Sequence, residues 1–284
     1  DRADDVVRFE GRHRLDPRLI DGNLDVAFPV LHGPYGEDGT IQGLFDMLDL
    51  PYVVCDTASS ALCMDKIFCK RLLTQAGLPT AEWVEVDRKT WTADPDGLVE
   101  RSLAIGLPLF VKPARMGSSI GITKVGEDTA LAPAIELALE HGDRTLVEKG
   151  LDAREIEVAV LGNYHPRAAV PGEVVPGNEF YDYKDKYLES TSELLAPAPL
   201  DEATTARVQE IAIEAFGLLG CAGMARIDLF LERGRNHVWV NEVNTIPGFT
   251  SISLYPRLWG LSGLEYPALI EELIRLALSR SAKR

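Results

Sequence analysis

The chain has 284 residues, 46% of them hydrophobic and 26% charged, which is an ordinary globular composition with enough length for a sizeable core and more than one domain. Its 29 basic and 44 acidic residues give a formal net charge of −15, which argues against nucleic acid as a partner. No apolar run approaches the roughly 20 residues that span a bilayer, so no membrane partner is expected. The four cysteines lack Cys-x-x-Cys spacing, which argues against a structural zinc site or a redox dithiol and favours a reduced, cytoplasmic protein.

Hydrophobic periodicity predicts alternating strands and helices along most of the chain. In chain order, we expect a strand at 26–31, a helix from Thr40, a strand at 51–54, a helix at 66–76, strands at 83–86, 108–113 and 120–125, a helix at 131–140, strands at 146–149 and 156–161, a helix after Asp201, strands at 225–232 and 237–244, and a helix at 266–278. Residues 87–107 are interpreted as a polar loop, and 171–199 as a long polar segment of the kind that is functional or disordered. The order of strand, helix and strand indicates an α/β protein.

The sharpest chemical signal is the pair of strands near the C-terminus. Because alternate residues of a strand share a face, Arg226 and Asp228 point the same way, as do Glu242 and Asn244. A hairpin turn centred on Arg235 would place Asp228 opposite Glu242, and by the same count Arg226 opposite Asn244. Two carboxylates and an amide then form a patch that suits Mg²⁺. A solvated face with paired charges is the alternative, but like charges directly opposite destabilise a plain sheet, so a bound cation explains the pattern better.

A second signal is the strand that delivers Lys112 into a Gly/Ser turn at 117–121. Glycines let backbone N–H groups approach an anion, and serine hydroxyls add donors, although an ordinary tight hairpin is the alternative. Gly117-x-Ser119-x-Gly121 also matches the nucleophile elbow of α/β-hydrolases, but that motif needs a helix after the serine and here a β-branched run follows. No Gly-Lys pair occurs in the chain, which excludes a Walker A loop.

Four further features are candidates for a ligand site, each with a plain surface or loop role as its alternative. Lys66, at a helix start, is another cation. Residues 148–151 follow a strand and could offer backbone groups to an adenine, while Glu155 could bond a ribose hydroxyl. His32 lies in a Gly-rich loop at the C-terminal end of a strand, where ligand sites of α/β proteins tend to lie. The hydroxyl-rich segment 244–253 could hold a carboxylate beside the cation.

Together these motifs resemble the D-alanine–D-alanine ligases of the ATP-grasp superfamily, from about residue 25 to the C-terminus. The motifs occur in the family's order and are His32-Gly33-x-x-Gly36-Glu37-Asp38-Gly39, Met64-Asp65-Lys66, Val111-Lys112-Pro113, Gly117-Ser118-Ser119, Phe180-Tyr181-Asp182-Tyr183, Ala225-Arg226-Ile227-Asp228 and Asn241-Glu242-Val243-Asn244-Thr245-x-Pro247-Gly248-Phe249-Thr250. The resemblance implies an ATP-grasp fold of the α/β class with α+β subdomains. It would comprise a partial N-terminal Rossmann-like domain at 1–65, a central domain at 66–152, and a C-terminal catalytic domain at 153–284 with a lid at 171–199.

The resemblance also implies a nucleotide and metal site. Lys66 and Lys112 would hold the ATP phosphates. The residues near adenine and ribose would be Glu148, Lys149, Leu151 and Glu155, with Phe180 and Phe230 packing on the base and Ser119 and Tyr181 in the same nucleotide site. Asp228, Glu242 and Asn244 would bind two Mg²⁺ ions that bridge the phosphates, with Mn²⁺ as a substitute.

The implied reaction joins two D-alanines for peptidoglycan precursor synthesis. The first D-alanine carboxylate would attack the γ-phosphate of ATP to give an acyl phosphate, whose carbonyl the amine of the second D-alanine would attack. Arg226 and the Gly248 backbone would stabilise the developing oxyanion, with His32 as a further catalytic residue. Ser253 and Leu254 would bind the carboxylate of the second D-alanine.

The lid bears on the second substrate. Lys186 and Tyr187 would close over the acyl phosphate and exclude water, and Ser118 would brace the lid by bonding with Tyr187. Relatives that make D-alanyl–D-lactate place a histidine in this loop, and residues 179–190 contain none, which favours an amine nucleophile. The run Cys55-Asp56 with Ser59-Ser60-Ala61 instead resembles the resistance-type ligases, so D-lactate or D-serine stays open as an alternative.

The N-terminal part departs from the family pattern. The family begins with a strand and a Gly-rich loop whose glutamate orients the first D-alanine, and no such motif lies upstream of residue 25. Because the chain starts at Asp1 rather than Met, either a segment is missing from the sequence or the first-substrate site is altered. A non-catalytic ATP-binding protein and a hydrolase built on Ser119 are the alternatives from other classes. The family further suggests a homodimer.

Overall fold

Two antiparallel sheets and their flanking helices organise the computed structural model, which describes residues 24–117, 119–175, 193–250 and 253–281. The helices are α1 (Thr40–Met47), α2 (Thr57–Met64), α3 (Lys66–Gln75), α4 (Arg88–Ala93), α5 (Pro95–Leu103), α6 (Leu131–Glu140), α7 (Glu202–Leu218), α8 (Leu254–Leu261) and α9 (Tyr266–Ser281). The strands are β1 (Trp83–Asp87), β2 (Leu109–Pro113), β3 (Thr123–Val125), β4 (Arg144–Lys149), β5 (Ala153–Gly162), β6 (Arg167–Ala168), β7 (Gly172–Val175), β8 (Glu193–Leu195), β9 (Gly223–Glu232) and β10 (Val238–Asn244). Across the described ranges, no helix combines the length and hydropathy needed to cross a membrane.

The first sheet has the strand order β1-β4-β2-β3, and its two faces differ. On one face, Val111 and Val147 are fully buried in a core that includes Ile135 of α6. On the other face, α3 covers only part of the sheet, with Ile67 packed against Leu146. The uncovered part of this face is therefore available to form one wall of a cleft.

The second sheet has the order β10-β9-β5-β7-β8, with the short strand β6 beside β5. Apolar residues at alternate positions of β5, β9 and β10, including Val158 and Ile227, bury one face against α7, which contributes Phe216. On the opposite face, Leu161 and Met224 are buried with residues of α8 and α9, and β9 continues with Arg226, Asp228 and Phe230, which are only half-buried. The second sheet thus also has one buried face and one half-covered face.

The N-terminal part contains less strand structure than predicted. Instead of strands at 26–31 and 51–54, the structure has a single parallel bridge between Ala27 and Tyr52. The next donor in a parallel ladder would be the backbone N–H of residue 29, which is Pro29 and has none. This region packs into the core formed with α8 and α9.

Several helices were not predicted. The supposed polar loop at 87–107 contains α4 and α5, because Asp87 caps α4 in a capping box with Thr90 and Asp94 caps α5 ahead of Pro95. Helices α2 and α8 were also absent from the prediction. The other predicted helices are confirmed, including the caps of α3 by Asp65 and α7 by Asp201.

The turn before β3 shows why the strand predicted at 120–125 is shorter. Ser119 and Gly121 both have positive φ, at 59° and 72°, so strand geometry starts only at Thr123. A Cβ at position 121 would lie 2.5 Å from the His141 ring, so glycine is required there. A turn and then β3, rather than a helix, come directly after Ser119, which rules out the nucleophile elbow and the hydrolase built on it.

The predicted long loop at 171–199 begins and ends in strand structure, since β7 pairs antiparallel with β8. Residues 176–192 and Ser118 lie outside the described residues, and with them the predictions for Phe180, Tyr181, Lys186 and Tyr187.

The four cysteines are free and buried, with the Cys63 and Cys221 Sγ atoms 3.9 Å apart rather than scattered.

Candidate active site

The hairpin of β9 and β10 pairs the predicted metal residues as expected. Asp228 lies opposite Glu242, and Arg226 lies opposite Asn244. The register shifts between Val240 and Glu242, so the predicted centring on Arg235 fails nearer the turn, where Val238 pairs with Leu231. Asn241 is the extra residue of this bulge, and as a result Asn241 and Glu242 are both half-buried on the cleft side while their neighbours Val240 and Val243 are buried.

Asp228 is held by two donors of the same wall. The Arg226 guanidinium donates to both carboxylate oxygens of Asp228 at 2.7 Å, and the Asn244 amide donates to Oδ2 at 2.9 Å. Arg226 also lies 3.1 Å from Glu157 Oε2. Burial opposes the charge of Arg226, but Asp228 and Glu157 outweigh it and hold the pKa of Arg226 well above its usual value. This wall therefore presents carboxylates together with one fixed guanidinium.

The opposing wall supplies the cations. Asp65, which is 1% exposed, caps α3 by accepting from the backbone N–H groups of Ile67 and Phe68 at 3.1 Å. The cap fixes the start of the helix and with it Lys66, whose Nζ donates to the Met116 carbonyl at 2.9 Å. The same Nζ lies 3.7 Å from Glu242 Oε2 across the cleft. Lys66 thus faces the carboxylates of the second sheet.

Lys112 of β2 is the second cation. Its Nζ pairs with the Glu148 carboxylate and donates to Asn241 Oδ1 at 3.5 Å. Glu148 is 2% exposed and also pairs with Lys70. Burial alone would raise the pKa of Glu148, but Lys112 and Lys70 outweigh it and lower the pKa to about 2. The Glu148 side chain is therefore committed to two lysines, so a contact with adenine would have to come from its main chain.

The loop that precedes α1 adds a carboxylate, that of Glu37, whose role was not predicted from the sequence. Glu37 accepts from the Gly33 N–H and lines the cleft with His32. Burial raises the pKa of the Glu37 carboxyl. Partial desolvation and, to a smaller extent, the charge of Arg226 lower the pKa of His32, which favours the neutral form of the imidazole. The signal for Glu37 was its place in the His32 motif.

The loop between β10 and α8 closes the far end of the cleft. Ser253 Oγ accepts from the Thr250 N–H at 3.0 Å and lies 2.9 Å from the Thr250 hydroxyl. A Cβ at Gly248 would approach this Ser253 Oγ to 2.8 Å, so a side chain at position 248 would displace the Ser253 hydroxyl. Ser253 and Leu254 begin α8 at this position.

A cleft of about 560 Å³ lies between the acidic wall and the start of α3 at Lys66. It brings together many of the predicted site residues, namely His32, Lys66, Glu155, Arg226, Asp228, Phe230, Glu242, Asn244, Gly248, Ser253 and Leu254. A second cavity of about 520 Å³ is lined by Lys149 and Leu151 with Trp83 and Trp239. Ser119, Lys112 and Glu148 line neither cavity.

The donor set suits a hard cation shared with a phosphate. Among the described residues, no group of three or more His, Cys, Asp or Glu is arranged to hold a metal by itself. The predicted set has only two carboxylates, Asp228 and Glu242, plus the amide of Asn244. Because Mg²⁺ is usually held by one or two carboxylates together with substrate phosphates, this set fits a nucleotide-bound ion.

Two antiparallel sheets that face each other across a cleft, one wall basic and the other acidic, define an ATP-grasp enzyme. The family model described as D-ala D-ala ligase C-terminus matches residues 72–275, and the one described as D-ala D-ala ligase N-terminus matches residues 5–55. The chain belongs to the D-alanine–D-alanine ligase family. The N-terminal match begins upstream of residue 25, so the family likeness extends further than the sequence motifs indicated.

Individual relatives are similar to this chain over most of its length. The chain is 52% identical over 256 residues to the D-alanine–D-alanine ligase of Thermoanaerobacter sp. (strain X514), which covers 90% of this chain and 71% of the relative. It is 45% identical over 283 residues to that of Chlorobaculum parvum, covering 99% and 78%. The structure of the Coxiella burnetii D-alanine–D-alanine ligase superposes with a TM-score of 0.82 at 40% identity, covering 91% and 69%. VanG D-Ala:D-Ser ligase from Enterococcus faecalis gives 0.80 at 41%, covering 89% and 73%.

Proposed function

We propose that this chain uses Mg-ATP to join two D-alanines into D-alanyl–D-alanine. One observation carries the proposal: a lysine at the start of α3 and a lysine of the first sheet face two carboxylates and an amide of the second sheet. Lys66 lies 3.7 Å from Glu242, and Lys112 lies 3.5 Å from Asn241. A polyphosphate needs cations, and its metal needs carboxylates, so the cleft offers both on opposite sides.

The nucleotide would lie between these walls. Lys66 and Lys112 would hold its phosphates. Glu155 and Phe230 pair across β5 and β9 and line the cleft, where they suit a ribose hydroxyl and the face of the base. The main chain at 148–151 would meet the adenine edge. The roles of Ser119 and of Phe180 and Tyr181 rest on the family resemblance.

Asp228, Glu242 and Asn244 would hold two Mg²⁺ ions, for which Mn²⁺ is an expected substitute. Bound there, the ions supply positive charge to phosphate oxygens. Both oxygens of Asp228 accept from Arg226 in this structure, so an ion at Asp228 would share that carboxylate with the guanidinium. The cleft thus retains a positive group beside Asp228 whether or not the ion is present.

The reaction has two steps. A carboxylate oxygen of the first D-alanine attacks the γ-phosphorus, the bond to ADP breaks, and an acyl phosphate forms. The amine of the second D-alanine attacks the acyl carbon and loses a proton, and inorganic phosphate leaves with one oxygen of the carboxylate. Arg226 and the Gly248 backbone would stabilise the tetrahedral oxyanion, while His32, neutral in the cleft, would contact the substrate.

The second carboxylate would bind at Ser253 and Leu254, where α8 begins. Lys186 and Tyr187 would close over the site with Ser118.

The family resemblance also supports a cytoplasmic homodimer and a division into domains at 65/66 and 152/153. Sedimentation of the purified chain tests the dimer, because a monomer at micromolar concentration would contradict it.

Phosphate release from Mg-ATP with D-alanine tests the function. We expect release that requires D-alanine, that Asp228→Ala abolishes, and that Glu210→Ala, in an exposed pair with Arg207, leaves intact. The product should be D-alanyl–D-alanine. ATP binding without D-alanine-dependent release would contradict the ligase and favour the non-catalytic alternative.

D-serine is the second candidate for the nucleophile, favoured by the similarity to the D-Ala:D-Ser ligase of Enterococcus faecalis. Competition between D-alanine and D-serine, followed by mass analysis of the dipeptides, separates the two. D-lactate provides the third arm, whose product would be an ester. A dominant D-alanyl–D-serine or D-alanyl–D-lactate product would overturn the assignment of the second substrate.

A further inference from the structure

A buried lysine lies behind the basic wall and has no role in the proposed reaction. Helix α3 carries Lys66 at its first residue and Lys70 one turn later. Lys66 reaches the cleft, whereas Lys70 is 3% exposed and points under the first sheet. A lysine is almost never fully buried unless it is paired, and Lys70 pairs with Glu148 Oε1.

Glu148 connects this buried lysine to the cleft. Its Oε1 pairs with Lys70, and its Oε2 pairs with Lys112, which in turn reaches Asn241 at 3.5 Å. The Lys70 side chain is 4% exposed and the Lys112 side chain 13%, so the carboxylate has one cation on its buried side and one on its cleft side. These two lysines are the charged groups that dominate the electrostatics of Glu148.

The charge of this triad determines what Lys112 can offer a phosphate. Two ammonium groups and one carboxylate give a net charge of 2 − 1 = +1. Without Lys70, Lys112 and Glu148 would form a neutral pair beside the cleft, and a phosphate would have to compete with a buried carboxylate for the ammonium group of Lys112. In a site of low dielectric, that competition is strong.

We propose that Lys70 is a positioning residue for ATP, which keeps Lys112 available to the phosphates by neutralising Glu148 from behind. The inference deepens the proposed function, because it takes Lys112 as a phosphate ligand. Lys70 itself touches no substrate. Its effect should therefore appear in the affinity for phosphate-bearing ligands and not in the affinity for the rest of the nucleotide.

Titration calorimetry of the full chain with Mg-ATP, without D-alanine, tests this directly. We expect Lys70→Met to weaken ATP binding by at least about tenfold. Adenosine, which has no phosphates, should bind Lys70→Met as it binds the unaltered chain. Lys89→Met, at an exposed position, is the matched control and should change neither affinity.

A double variant separates electrostatics from damage to the fold. Lys70→Met with Glu148→Gln removes one positive and one negative charge, which returns the net charge beside the cleft to +1. We expect its ATP affinity to recover to within about threefold of the unaltered chain. Circular dichroism checks that each variant is folded at the temperature of the titration.

Three results would overturn the inference: unchanged ATP affinity in Lys70→Met, equal losses for ATP and adenosine, or no recovery in the double variant. Failure of the proposed function looks different, since the unaltered chain would bind ATP and yet form no dipeptide. An unaltered chain that binds no ATP would overturn both.

Discussion

The two walls of the cleft differ in where the oppositely charged partners of their charged groups lie. Each carries charged groups that must keep their positions without a ligand, and each pairs them with a group of opposite sign. On the basic wall, the partner of Lys112 is Glu148, which is 2% exposed and lies behind the lysine. On the acidic wall, the partner of Asp228 is Arg226, which lines the cleft itself. Substitutions on the acidic wall should therefore affect chemistry, and those on the basic wall should also affect folding.

The largest expected effect is on the acidic wall. Asp228→Ala removes a carboxylate that is proposed to hold the metal and that orients Arg226. We expect D-alanine-dependent phosphate release to fall by about 10³-fold, the scale of several kcal/mol of charge stabilisation. Unfolding by urea should change little in comparison. Activity within tenfold of the unaltered chain would show that this wall does not carry the reaction.

On the basic wall, Glu148→Gln leaves Lys70 and Lys112 near each other without their anion. Removing one partner of a buried ion pair costs about 3–5 kcal/mol, and the free energy of unfolding should fall by that order. Urea titration at neutral pH measures it. A change below about 1 kcal/mol would mean that the triad is solvated and comparable with surface pairs.

The lowered pKa of Glu148 also predicts that the free energy of unfolding depends on pH. Folding lowers the pKa of Glu148 from 4.5 to about 2, so its contribution of roughly 3 kcal/mol is present above pH 4.5. That contribution should be lost as the pH falls from about 4.5 towards 2. Urea titrations across this interval should show the unaltered chain losing more stability than Glu148→Gln. Parallel curves for the two proteins would contradict the lowered pKa.

Lys66 provides an intermediate case, because it reaches the cleft from a capped helix start and pairs with Glu242, whose side chain is 31% exposed. We expect Lys66→Ala to weaken ATP binding by about ten- to fiftyfold, with the free energy of unfolding nearly unchanged. Calorimetry and urea titration together measure the two effects. A loss of stability as large as that of Glu148→Gln would remove the distinction between the two lysines.

The smallest effect is expected where the walls meet. Asn241→Ala removes the 3.5 Å contact with Lys112, a long hydrogen bond, and should weaken ATP binding by about threefold. Lys112→Ala in the same calorimetric series gives the scale for comparison. A loss as large as that of Lys112→Ala would mean that Asn241 itself binds the nucleotide.

The acidic wall could largely be predicted from the sequence, because it depends on local patterns. Strand alternation and a short hairpin were enough to pair Asp228 with Glu242. The bulge was missed, although the two polar residues between Val240 and Val243 break the alternation and were its signal. The same holds for α4 and α5, whose caps at Asp87 and Asp94 could have been recognised.

The basic wall could be predicted only in part, because its chemistry depends on contacts between distant parts of the chain. Lys66 and Lys112 were identified from motifs, but the environment of Glu148 depends on α3 packing against β4. The sequence shows a charged residue at a strand end, and nothing local indicates that two lysines enclose it. The carboxylate of Glu37, by contrast, was missed although its motif with His32 was a local signal.

The proposed reaction requires that the carboxylate of D-alanine is activated by phosphorylation in this cleft. The most direct test is to supply D-alanine labelled with ¹⁸O in its carboxylate, together with Mg-ATP, and to analyse the inorganic phosphate by mass spectrometry. If an acyl phosphate forms, each phosphate released should contain one ¹⁸O atom, and D-alanyl–D-alanine should be formed with it. Phosphate that contains oxygen only from water and ATP would contradict it, because the γ-phosphate would then have passed to water instead of to the amino acid.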